Sequence, residues 1–168
     1  IEFGLQNGTT YNSFLIRGDK IALVDTSHAK FRALYLDILK GQIDPTTIDY
    51  LVISHTEPDH SGLVRDVLEL APQAVVVGAK VALAFLDDLV HQPFERLQVK
   101  NGDQLDLGNG HVLEFVSAPN LHWPDTIFTY DHKSQVLFTC DAFGLHYCSD
   151  DLYDEDLDAI SPDFRFYY

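Results

Sequence analysis

The sequence predicts an α/β domain, on three observations. Strands and helices alternate through the first half of the chain, and short strands separated by turn signals fill the second half. Apolar residues make up 46% of the composition against 22% charged, the profile of a packed globular core. The 168 residues suffice for one domain spanning 1–168, with no repeat, low-complexity tract or linker to divide it.

Tyr11–Ile16 and Ile21–Asp25 are β-rich runs around the turn Arg17-Gly18-Asp19, so they predict a hairpin. From about Lys30 a helix follows, because Phe31, Leu34, Tyr35 and Ile38 recur at the helical interval and Gly41 sits where a C-terminal glycine belongs. Tyr50–Ile53 is a short continuous apolar run, as a strand covered on both faces would be. A helix over Leu63–Leu70, a strand over Ala74–Val77 and a helix over Lys80–Val90 continue the alternation. Near Phe94 the texture changes, which predicts a change of layer within the domain. Asn101-Gly102 and Asn109-Gly110 are turn signals, and His111–Val116, Thr126–Tyr130 and Gln135–Thr139 read as strands.

The formal charge of −15 excludes a nucleic-acid binder, which must set clustered Lys and Arg against phosphates, and disfavours an anionic membrane surface. Asp150, Asp151, Asp154, Glu155, Asp156 and Asp158 read as a solvated stretch, because the glycine and glutamate of a calcium loop are not in place. Cys140 and Cys148 form no CxxC motif, which suggests reduced thiols and a cytoplasmic protein. No apolar run reaches the length of a membrane span. A start at Ile1 and an end at Phe166-Tyr167-Tyr168 without a terminal loop suggest a fragment of a longer protein.

Chemistry concentrates in Ser54-His55-Thr56-Glu57-Pro58-Asp59-His60-Ser61-Gly62, directly after an apolar strand. Four potential ligands, His55, Glu57, Asp59 and His60, lie close together there. Pro58 disfavours a helical Glu57 and predicts a loop able to fold round a cation. Imidazoles mixed with carboxylates suit first-row transition metals, whereas calcium or magnesium would want mainly oxygen. One histidine at a strand end is usually an ordinary polar residue; four such groups behind a buried strand are not. His28, His91, His111 and His132 stand singly and are read as ordinary polar residues. Trp123 either shields the site or packs beside it. Cys140 points away from Asp141 if the strand continues, which suits a core residue better than a ligand.

The segment resembles the HxHxDH signature of the metallo-β-lactamase superfamily with Glu57 in place of the second histidine. The resulting HxExDH pattern resembles the flavodiiron proteins. His122, in Ala118-Pro119-Asn120-Leu121-His122-Trp123-Pro124, and Asp141, in Leu137-Phe138-Thr139-Cys140-Asp141, stand at the spacings that family has for its later ligands. Gly8-Thr9-Thr10-Tyr11-Asn12-Ser13 and Ala142-Phe143-Gly144 extend the resemblance along nearly the whole chain. Asn120-Leu121-His122-Trp123-Pro124-Asp125 is similar to the multidomain, diflavin branch of oxygenic phototrophs.

The resemblance implies an αββα sandwich, incomplete in this chain. It implies two non-haem irons: His55, Glu57 and His122 on one, Asp59 and His60 on the other, and Asp141 bridging. The family places a further histidine on the second iron, beyond Tyr168; His146 is read as supporting the ligands from behind or as structural. The implied activity is reduction of dioxygen to water, with nitric oxide as the family's other substrate. Electrons would come from FMN and ultimately NAD(P)H through downstream flavodoxin-like and flavin reductase domains, in a head-to-tail homo- or heterodimer. Two rivals are a dinuclear zinc hydrolase of the same fold and a non-catalytic domain that keeps the fold for assembly. Glu57 argues against the hydrolase, because a carboxylate adds charge and hard oxygen ligation; the intact ligand set argues against the second.

Overall fold

The computed structural model describes residues 8–148 and Tyr153. The acidic stretch from Asp150 to Asp158, Tyr153 aside, and the three C-terminal aromatics lie outside the described residues.

Continuous apolar runs become the interior of a five-stranded sheet. Its order is β1 (Phe14–Arg17), β2 (Ile21–Val24), β3 (Tyr50–Ile53), β4 (Val75–Ala79) and β5 (Arg96–Val99), with β1 antiparallel to β2 and the rest parallel. Parallel neighbours require crossovers, and the connecting segments supply helices α1 (Arg32–Gln42), α2 (Pro58–Ser61), α3 (Val64–Leu70) and α4 (Lys80–Val90). A second, antiparallel sheet runs β6 (Gln104–Gly108), β7 (His111–Ser117), β8 (Ile127–Asp131), β9 (Val136–Phe138) in sequence order.

Strand alternation sorts the side chains into two cores. Leu23, Leu51, Ile53 and Val76 pack against Leu39, Val67, Leu68 and Leu86 of the helices. Ala22, Val24, Val52 and Val77, on the opposite face, meet Leu107, Leu113, Phe115 and Ile127 of the second sheet. The layers are therefore helices, parallel sheet, antiparallel sheet. No helix among the described residues covers the outer face of the second sheet, and none is long and apolar enough to cross a membrane.

Three expectations are corrected. Of the apolar residues that reveal α1, Leu34 and Ile38 are exposed and only Tyr35 packs against the core, whose buried contacts from the helix are Leu36 and Leu39. Gly41 lies inside its last turn and Ile43 caps it. Periodicity located the helix but not its buried side. The segment after β3 is not wholly a loop, because Pro58 starts the one-turn helix α2. Proline is tolerated at the first helical position, where its missing N–H has no intrahelical partner, so Glu57 stays extended while Asp59 and His60 are helical. The change of layer falls after Val99 instead of at Phe94, since β5 completes the first sheet beside β4.

Candidate metal centre

The candidate ligands meet at one end of the two sheets. His55 to His60 follow β3, His122 lies in the connection from β7 to β8, and Asp141 follows β9. Because β7, β8 and β9 are antiparallel neighbours, the end of β7, the start of β8 and the end of β9 lie side by side. A backbone bond from Ile127 N–H to Ser54 O, 3.0 Å, fastens the start of β8 to the end of β3.

All six predicted site residues come together, in two groups that could each hold a metal ion. His55, Glu57, His122 and Asp141 form one, Asp59, His60 and Asp141 the other. Glu57 Oε2 lies 3.2 Å from His55 Nε2 and 3.1 Å from His122 Nε2. Asp141 divides its carboxylate: Oδ1 is 2.9 Å from His60 Nε2, and Oδ2 is 3.7 Å from both His55 Nε2 and His122 Nε2. Asp59 Oδ2 is 3.5 Å from His60 Nε2.

Two observations test these residues against a cation. Donors bonded at about 2.1 Å and separated by a right angle stand roughly 3.0 Å apart, close to the spacings around Glu57. Asp59 Oδ1 is buried with no hydrogen-bond partner among the described residues, an arrangement that costs free energy unless something positive faces the oxygen. The residues fit.

Electrostatics agree with the geometry. Burial alone would lower the His60 pKa, but its hydrogen bonds with Asp141 and Asp25 outweigh this and push it up to about 11. His55 is also raised, burial being outweighed by its bonds with Asp125 and Glu57. Burial raises the Asp59 pKa; His60 pulls it back and the charges of Asp141 and Glu57 add to the rise. For Asp141 burial is outweighed by its hydrogen bond with His60 and by the nearby imidazoles, so its pKa falls. Carboxylates thus crowd the imidazoles, and the pocket favours bound positive charge.

Two carboxylates escaped the sequence reading. Asp25, directly after β2, adopts φ 56°, a backbone conformation that Asp tolerates better than most residues. This turns its side chain back to accept from Ser54 N–H at 2.7 Å and to face His60 Nδ1 at 3.3 Å. Asp125 faces His55 Nδ1 at 3.1 Å. The available signal was chemical: a ligating imidazole needs an acceptor for its other nitrogen, but nothing in the spacing says which acidic residue supplies it.

The remaining residues take varied places. Trp123 packs edge-to-face on His55, ring centroids 5.0 Å apart, and screens that ring. Cys140 is not on a continued strand, since β9 ends at Phe138 and Cys140 sits in the following turn at φ 44°. Burial pushes its thiol pKa up to about 12. His146 Nδ1 lies 3.4 Å from Thr9 Oγ1, outside both groups. His111 pairs with Asp131 and His132 with Glu114, each at 2.8 Å, His28 accepts from Lys30 N–H, and His91 caps α4.

The fold and site define a metallo-β-lactamase-like domain with a candidate two-metal centre. The family model described as "ODP family beta lactamase" matches residues 9–168, and the chain belongs to that family. Diflavin flavoprotein A 1 of Synechocystis (strain PCC 6803) is 71% identical over all 168 residues, which make up 29% of its length. A metal-soaked Flv1 flavodiiron core from Synechocystis superposes with a TM-score of 0.93 at 36% identity, over 99% of this chain and 42% of that one. Rubredoxin oxygen:oxidoreductase from Desulfovibrio gigas superposes with a TM-score of 0.90 at 29% identity, over 96% and 41%. The flavodiiron resemblance and the metallo-β-lactamase-like fold are borne out, and the chain spans less than a third of the length of this diflavin relative.

Proposed function

We propose that this chain is the metal-binding domain, residues 1–168, of an oxygen reductase of the flavodiiron type. The observation that carries the reading is the division of the Asp141 carboxylate between two donor groups. A shared anion offsets the repulsion between two cations about 3.5–4 Å apart, which a mononuclear site would not need.

In this reading His55, Glu57 and His122 hold one iron, Asp59 and His60 the other, and Asp141 both. Two ferrous irons would hold two of the four electrons that dioxygen needs, and FMN would replenish the rest, with water as product once four protons are added. The chain's own part is positioning: Asp25 and Asp125 hold the imidazoles in place and Trp123 screens one of them. FMN and NAD(P)H would act through domains outside this chain, in a head-to-tail dimer. The name of the Desulfovibrio gigas neighbour supports oxygen as substrate, and the diflavin relative supports flavin as electron carrier. The two unpaired cysteines suit the reducing cytoplasm.

Anaerobic reconstitution of the full-length protein with ferrous iron should yield two irons per chain and oxygen consumption on an electrode with NAD(P)H. Asp141→Ala should release or uncouple both metals, whereas His122→Ala should weaken one. Preferential binding of two zinc ions with thioesterase or lactamase turnover would instead establish the hydrolase.

A further inference from the structure

We propose that Asp125 is the positioning residue of one half of the centre: it clasps the loop bearing His122 to the segment bearing His55 and Glu57, and it fixes His55 Nε2 as the atom offered to a metal. The proposal deepens the two-metal reading and rests on it.

Asp125 is fully buried. Its Oδ2 accepts from Thr56 N–H at 2.8 Å and from the Thr56 hydroxyl at 2.6 Å, which leaves Oδ1 facing His55 Nδ1 at 3.1 Å. A carboxylate held this way is acceptor-only, so Nδ1 must carry the hydrogen. His55 is also fully buried and cannot turn to satisfy itself with solvent. In the neutral ring Nε2 is then the lone-pair nitrogen, and it is the atom directed at Glu57 Oε2 and Asp141 Oδ2.

The same carboxylate acts on chain geometry. Asp125 follows His122 by three residues, in a connection whose Asn120 adopts φ 67°. Its bonds to Thr56, between His55 and Glu57, therefore set how closely the His122 loop approaches the other two donors. Asp25 makes a similar contact with His60, but it follows β2 and carries no candidate ligand nearby. Asp25 also accepts from Ser54 N–H beside His55; Asp125 differs in lying itself on a ligand-bearing loop, so that it joins two such segments.

Asp125→Asn separates these roles. Its amide oxygen can still accept from Thr56, but its NH2 then faces His55 Nδ1, which must accept, and the hydrogen moves to Nε2. In anaerobic Co(II) titrations of the full-length protein, one of two metal equivalents should weaken about 10- to 100-fold while the other holds. Histidine 15N NMR of the metal-free protein at alkaline pH should show His55 as the Nδ1–H tautomer in the parent and Nε2–H in Asp125→Asn. Thr56→Val, which removes one of the two clasping bonds and leaves Oδ1 facing His55, should keep the Nδ1–H tautomer and weaken the same metal equivalent less than Asp125→Asn does. Two equivalents bound by Asp125→Asn as tightly as by the parent would overturn the proposal, as would an Nε2–H tautomer in the parent. Should Asp125→Asn fail to fold, the parent tautomer alone decides. A parent that takes up no cobalt while showing the Nδ1–H tautomer would refute the two-metal reading and leave the orientation of His55 established.

Discussion

His60 illustrates how single residues prepare the site. Between Asp141 and Asp25 the metal-free ring holds its proton to about pH 11, although it ordinarily loses it near 6.5. A group whose folded pKa is raised contributes stability that is complete below the unfolded value and disappears as pH climbs through the folded one. Asp141, lowered from 3.8, contributes in the opposite sense, and its share is lost on acidification. The metal-free protein should therefore weaken progressively between about pH 6.5 and 11 and again in acid. A metal that binds His60 Nε2 must displace its proton, so uptake near neutrality should release protons and tighten with rising pH. Calorimetric titration in buffers of different ionisation enthalpy measures that release; a buffer-independent heat would refute it.

At the scale of elements, α2 decides where the second donor group stands. Gly62 caps it, and a Cβ there would run into Pro58 O and approach Ser27 O at 3.0 Å and Ala29 N at 3.1 Å. These are backbone atoms and cannot swing aside. Gly62→Ala should cost about 1–3 kcal/mol and loosen the Asp59/His60 position more than the His55/Glu57/His122 position. Urea denaturation and metal analysis check both effects, and a variant with unchanged midpoint and metal content would show that the backbone has slack.

Much at this scale was legible in the sequence. The Tyr50–Ile53 strand and the helix over Lys80–Val90 carried strong apolar patterns, and the six candidate ligands were identifiable from residue type and family spacing. Less visible was whatever depends on tertiary context. The Arg96–Val99 strand is mostly exposed and lacks a buried-strand pattern, so its membership of the first sheet is set by pairing with β4. The exposed stripe of α1 mimics a core face because its own apolar residues repeat at the helical interval. Asp25 and Asp125 needed the fold to bring them beneath His60 and His55.

On the scale of the whole molecule, the donors come from both sheets. His55, Glu57, Asp59 and His60 follow β3 of the first, while His122 and Asp141 flank β8 and β9 of the second. An ion held by both sets would be a stitch across the seam between the layers, closing long loops of the chain. Ligand that binds only the folded state adds to its stability by mass action, and here the gain falls on the join itself. Chelation should therefore raise amide hydrogen exchange chiefly in the connections 118–126 and 139–144 and in β9, leaving β3 and β4, clamped between two cores, nearly as protected as before. Uniform acceleration across both sheets, or none, would show that the seam holds without metal. The short β9 (Val136–Phe138), whose Val136 and Leu137 are exposed, then becomes the place where loss of metal opens the molecule first.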